Sequence, residues 1–130
     1  MKSRSCGFTM LELMVVITIM LILITLGAGR YEKSVLVAKE TALRQDLVVM
    51  RNAIDQYTLD KQQAPQSLDD LVTAGYLREV PLDPVTRSKD WRTESSDTLL
   101  SPEQSSGGIV DVHSSSDQAS SMTGTPYSSW

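Results

Sequence analysis

The chain has 130 residues and a mass of 14.3 kDa, room for one modest domain. Twelve Lys and Arg against 16 Asp and Glu give a formal charge of −4, which speaks against nucleic-acid binding through a basic surface. A single cysteine, Cys6, excludes an intramolecular disulfide and a Cys-X-X-Cys redox pair, and with a single histidine, His113, leaves a His-rich metal site, a Cys/His zinc site and a Cys-His nucleophile pair unsupported.

The apolar residues are gathered at one end. After the short basic segment Met1-Lys2-Ser3-Arg4-Ser5-Cys6-Gly7, residues Phe8 to Leu26 are apolar except for Thr9, Glu12, Thr18 and Thr25. As a helix this run spans roughly 28 Å, close to the hydrocarbon thickness of a bilayer. A buried core helix is the bland alternative, but the rest of the chain is too poor in apolar residues to surround one. A secretory signal cut at Gly27-Ala28-Gly29 is a second alternative. Against it, the run exceeds a usual signal core and helix-forming sequence follows at once. The basic leader places the N-terminus in the cytoplasm and the C-terminal part outside. Glu12 is the informative residue. A carboxylate within an apolar span costs about 3 kcal/mol on insertion scales. Either Glu12 reaches the interface from the end of the span, or it meets a positive partner in the membrane. The run contains no Lys or Arg, whereas a free amino group created at Phe8 of a neighbouring copy would serve.

These residues carry a resemblance. Gly7-Phe8-Thr9-Met10-Leu11-Glu12, behind a basic leader and ahead of an apolar helix, resembles the class III signal of type IV prepilins and type II secretion pseudopilins. The resemblance implies cleavage between Gly7 and Phe8 by an inner-membrane prepilin peptidase, N-methylation of Phe8, and retention of the helix. It also implies that Glu12 pairs with the Phe8 amine of an adjacent subunit during assembly. Loss of the leader would remove Lys2, Arg4 and Cys6, leaving a more acidic chain without cysteine.

Gly27 and Gly29 interrupt the helix-forming composition, each at about 1 kcal/mol relative to Ala. They serve close packing or are simply tolerated, or else they permit local unwinding in a filament. From Tyr31 to about Gln63 the sequence reads as amphipathic helix. Leu36, Leu43, Leu47, Met50, Ile54 and Tyr57 form one stripe. Lys33, Glu40, Arg44, Arg51, Asp55 and Lys61 are placed mostly off it. The stripe reads as the core-facing side of a stem rather than a coiled-coil seam. Glu40 and Arg44 are spaced as an i,i+4 pair. The stem should stop near Ala64-Pro65, since Pro lacks a donor and restricts its predecessor.

Ser67 can cap a short helix through Leu68, Leu71 and Val72, with Asp69 and Asp70 in its first turn and Gly75 at its end. Gly75-Tyr76-Leu77 leading to Pro81-Leu82-Asp83-Pro84 is similar to the pseudopilin connector, with Val85 where that family often has Trp. Its physical role is that of a rigid connector. Residues 95–130 include 12 serines, a composition that alone points to disorder. Against this, Ile109-Val110-Asp111-Val112-His113 alternates like a strand. A second strand is expected around Trp91, giving a sheet of two to four antiparallel strands across the stem, with Leu99 to Gly108 a loose loop.

The stretch from Val112 to Trp130 resembles the C-terminal loop of the major type II secretion pseudopilin, which commonly binds one calcium ion. That implies Asp117 as a ligand, with Ser114 and the Val112 carbonyl beside it; oxygen ligands suit a hard cation. Gly124-Thr125-Pro126-Tyr127-Ser128-Ser129 departs from the pattern by lacking aspartates. A polar loop held by Tyr127 and Trp130 is the alternative. His113 reads as a surface or half-buried strand residue. No triad, paired-carboxylate pocket or phosphate-cradling Gly loop is present.

The sequence therefore points to an α+β, type IV pilin-like fold. Its expected parts are leader (1–7), transmembrane helix (8–29), amphipathic stem (30–64) and small periplasmic head (65–130). The expected function is structural, not enzymatic: a major pseudopilin, anchored in the inner membrane by one span, that polymerises with itself into a type II secretion pseudopilus. The implied partners are a prepilin peptidase and N-methyltransferase, minor pseudopilins and an inner-membrane assembly platform, with no nucleic acid. Two alternatives remain: a type IV pilin of a surface filament for adhesion, motility or DNA uptake, and a membrane-tethered binding module that does not polymerise.

Overall fold

The apolar run and the stem share one helix, α1, over Met10–Lys61 in a computed structural model that describes residues 7–96 and 107–130. The chain divides into two units, Met1–Leu36 and Val37–Trp130.

In the first unit every large apolar side chain from Phe8 to Leu26 is exposed, the least of them Val16 at 38%. The helix is long and apolar enough to cross a membrane, with a mean hydropathy of 2.5 in its most apolar window and none of that window buried. The buried-core alternative is thereby set aside. The polar groups in the run are reconciled with an apolar setting locally. Thr18 donates its hydroxyl to the Met14 carbonyl at 2.7 Å and Thr25 to that of Leu21 at 2.8 Å, so neither hydroxyl needs water. Helical structure continues through Gly27 and Gly29, where an added Cβ would meet nothing within 4 Å. Neither glycine is required by packing within the chain itself.

The second unit is built on the stem stripe. Leu43, Leu47, Met50, Ala53 and Ile54 of α1 are buried, while Leu36 is 39% exposed and lies outside this unit. The stem leaves helical geometry a few residues ahead of the expected stop, because Gln62 adopts a positive φ of 55° directly after Lys61. A short helix, α2, spans Leu68–Thr73. Ser67 caps it in a reciprocal box: the Ser67 hydroxyl accepts from Asp70 N–H, and the Asp70 carboxylate accepts from Ser67 N–H at 2.9 Å. Gly75, at φ +85°, closes it as a Schellman turn, with Tyr76 N–H on the Leu71 carbonyl and Gly75 N–H on that of Val72.

Two antiparallel strands follow, β1 (Trp91–Ser96) and β2 (Gly108–Ser114). Their register runs from Trp91↔Ser114 through Glu94↔Asp111, then skips to Ser95↔Ile109. Val110 is the extra residue of that bulge and points outward at 40% exposure. Strict alternation would put Ile109 and Val112 on opposite faces; the bulge resets the phase and both are buried. They join Leu71, Leu77, Trp91, Tyr127 and the stem stripe in one core. Gly108, expected as the end of a loop, is instead the first residue of β2; the loop itself falls on residues outside those described.

Asp83 makes the connector rigid. It is fully buried; one carboxylate oxygen accepts from Val85 N–H at 2.7 Å, and the other accepts the Ser114 hydroxyl at 2.5 Å. The Trp91 indole donates to the Pro81 carbonyl at 2.9 Å, tying β1 to the same connector.

Candidate functional site

Gly7, Phe8 and Thr9 precede α1 in non-helical backbone, and all three are exposed. Thr9 begins the helix: its hydroxyl accepts from Glu12 N–H at 3.2 Å and its carbonyl from Leu13 N–H at 3.2 Å. Glu12 therefore lies in the first turn, where a negative charge suits the free N–H groups of the helix end. Its carboxylate has no hydrogen-bond or ionic partner among the described residues. Exposed at the head of an apolar helix, such a carboxylate calls for a cation or donor from outside the chain. The Gly7–Phe8 peptide bond is accessible, and a Cβ at Gly7 would meet nothing within 4 Å.

The residues expected to hold calcium do not fit that ion. The Val112 carbonyl accepts from the Arg51 guanidinium at 3.1 Å, which sets a fixed positive charge against the oxygen a cation would need. The Ser114 hydroxyl is buried, donates to Asp83 and accepts from Ser116 N–H. Asp117 is exposed. Among the described residues no group of three or more acidic, His or Cys side chains is placed to hold a metal.

Two stem residues organise this region instead, and sequence reasoning misjudged both. Glu40 is fully buried. One of its oxygens accepts from Ser121 N–H at 2.6 Å and from the Tyr127 hydroxyl at 2.8 Å; the other accepts from the Ser120 hydroxyl at 3.2 Å. The expected Glu40–Arg44 pair is replaced by these bonds, while the Arg44 guanidinium stacks 4.2 Å over the Trp130 ring. Placing Glu40 off the stripe was the error: it lies four residues after Leu36 and three before Leu43, on the buried face itself. Arg51 was likewise placed off the stripe. Its Nε donates to Asp111 at 2.6 Å, and its Nη2 donates to the carbonyls of Val112 and Trp130. The clue was its spacing, four after Leu47 and three before Ile54.

These contacts shift titrations. Burial pushes the Glu40 carboxyl up, but the bonds from Ser121, Tyr127 and Ser120 outweigh it and hold the group below its ordinary 4.5. Burial and the Glu40 charge push the Tyr127 hydroxyl up to about 12. Partial burial raises Asp111, yet the Arg51 bond and the Val112 N–H bring it below the usual range. Partial burial and the nearby Asp83 charge raise Asp46. His113 is half-buried, as expected, with Nδ1 2.5 Å from the Trp130 carbonyl and Nε2 3.5 Å from Asp111.

Residues 2–28 match the family described as "Prokaryotic N-terminal methylation motif". The chain is similar to the type II secretion system core protein G of Klebsiella pneumoniae, with 37% identity over 85% of this chain and 84% of that protein. The Klebsiella michiganensis protein of the same name is 31% identical over 95% of this chain and 92% of its own length. That of Aeromonas hydrophila is 37% identical over 64% of this chain and 69% of its length. No solved structure matches.

Proposed function

The chain belongs to the family of type II secretion system core protein G, and from that premise we propose that it is a structural subunit, the major pseudopilin of such a system, without catalytic activity of its own. The observation that carries the reading is the Glu12 carboxylate, partnerless among the described residues, at the head of an exposed apolar helix and four residues after Phe8. Cleavage after Gly7 frees an amine at Phe8. A prepilin peptidase with N-methyltransferase activity performs the cut and adds the methyl group. The apolar helix keeps the mature chain in the inner membrane by a single span, with the C-terminal unit in the periplasm. On assembly the Phe8 amine of one copy neutralises Glu12 of the next, and the exposed apolar side chains leave lipid for the corresponding side chains of neighbouring copies. Minor pseudopilins and an inner-membrane platform join the same process, which extends a filament through the periplasm.

Mass analysis of the N-terminus of protein purified from its native membrane tests the reading. The expected chain starts at Phe8 and carries one added methyl. A chain that retains Met1, or one cut near Gly29, overturns it.

A further inference from the structure

Residues 115–130 carry little regular structure, a single 3-10 turn at Tyr127–Ser129 and one bridge between Ala119 and Pro126, and ordering such a loop costs conformational entropy, so something must fasten it to the stem. A divalent cation does this by gathering oxygens. Glu40 does the opposite: one buried carboxylate gathers donors from Ser120, Ser121 and Tyr127. Ser120 extends the cluster. Its hydroxyl, while donating to Glu40, accepts from Met122 N–H at 3.1 Å and Thr123 N–H at 3.2 Å, so all of its bonding capacity is used. Arg51 closes the other end of the region by holding the Val112 and Trp130 carbonyls together. The carbonyl expected to face calcium thus already faces a guanidinium, and the serine oxygen beside it is turned to Asp83.

The geometry points to a head that closes its C-terminal loop without a divalent cation, the Glu40 carboxylate and Arg51 guanidinium of the stem acting as its two fastenings. Stability is then indifferent to calcium. The magnitudes separate the cases well. An ion held at a hundredfold excess over its Kd raises the melting temperature of a domain this size by about 10–20 °C. A calcium-indifferent head shows no shift.

The test uses the full chain in detergent micelles, with unfolding followed through the signals of Trp91 and Trp130. Wild type should melt at one temperature in millimolar calcium chloride and in excess EDTA. Glu40→Gln should melt several degrees lower, because its amide N–H₂ faces a Ser120 hydroxyl with no acceptor capacity left. Tyr127→Phe, which keeps the ring and deletes one donor, should fall by less, and calcium should restore neither variant. A wild-type melting point that drops in EDTA and returns with calcium overturns the inference, as does a Tyr127→Phe variant as stable as wild type. Should Glu40→Gln not fold, the wild-type chelation arm and Tyr127→Phe decide alone. The readout is the melting of isolated chains, so it stands or falls separately from the secretion reading.

Discussion

Replacing Gly108 with alanine tests whether the sheet is seated on the stem-to-α2 turn as described. An added Cβ would lie 2.7 Å from the Pro65 carbonyl oxygen and 2.8 Å from both the carbonyl oxygen and the Cβ of Ala64. Two of those three atoms are backbone, so the strand must move rather than a flexible side chain. The same Pro65 oxygen accepts from Ile109 N–H at 2.8 Å, and Ile109 is 4% exposed in the core. Moving the strand weakens that bond, worth about 1 kcal/mol net, and strains the packing, worth about 1–3 kcal/mol. The reduced freedom of the unfolded chain returns about 0.4–1 kcal/mol. The net is a loss of about 1–3.5 kcal/mol, a fall in melting temperature of about 4–28 °C for a unit this size. Thermal unfolding in micelles measures it, with Gly27→Ala as the control, since a Cβ there meets nothing. A Gly108→Ala chain that melts at or above the wild-type temperature refutes the placement of β2 against Pro65.

Glu12→Ala should insert and be trimmed like wild type but enter filaments about tenfold less when expressed with wild type, as expected for the loss of a charge pair of about 1.4 kcal/mol in a poorly solvated site; quantitative cross-linking of sheared filaments reads the ratio. Equal incorporation of both chains removes the assembly role given to Glu12. Stability should fall at both ends of the pH range. Glu40 and Asp111 are held below their ordinary values, so what they contribute is present above those values and lost as pH drops through the depressed ones. Tyr127 is raised to about 12, so its contribution is complete below pH 10 and lost as pH climbs from 10 toward 12. Melting curves across pH should show both limbs, and Tyr127→Phe should flatten the alkaline one; an unchanged alkaline limb in that variant contradicts the Glu40–Tyr127 contact.

What could be read in the sequence was whatever declares itself by local spacing. The apolar span, the Ser67 cap with Asp70 three residues on, Gly75 after α2, and strands at Trp91 and Ile109 all follow from short-range rules, and the structure has each of them. The β2 bulge was not readable, because Val110 and Val112 are equally apolar and only pairing with β1 decides which turns inward. Glu40 was misplaced for a different reason. A charged residue on an apolar stripe is normally counted with the solvated face, since a buried carboxylate is costly unless donors meet it. Its donors lie some eighty residues later, in a serine-rich stretch whose composition alone suggested disorder. The same serines look different once their partners are known: Ser114, Ser116 and Ser120 are buried and each carries hydrogen bonds.

The two units treat polar groups in opposite ways, and that contrast bears on assembly. In the C-terminal unit the buried charges are met from within: Glu40 by three donors, Asp83 by backbone N–H groups and Ser114. Among the described residues no buried side-chain polar atom lacks a partner. The N-terminal unit is the reverse, with a continuous apolar surface and a carboxylate at its head that the rest of the described chain does not meet. Lipid satisfies the apolar surface but not the carboxylate. A positive group at the depth of Glu12 would meet the carboxylate, and on the proposed reading a processed Phe8 on another copy supplies one. On the proposed reading that amine exists only after the leader is removed, so an unprocessed chain would be inserted yet unable to neutralise its neighbour, and proteolysis would be the step that admits a subunit to the filament.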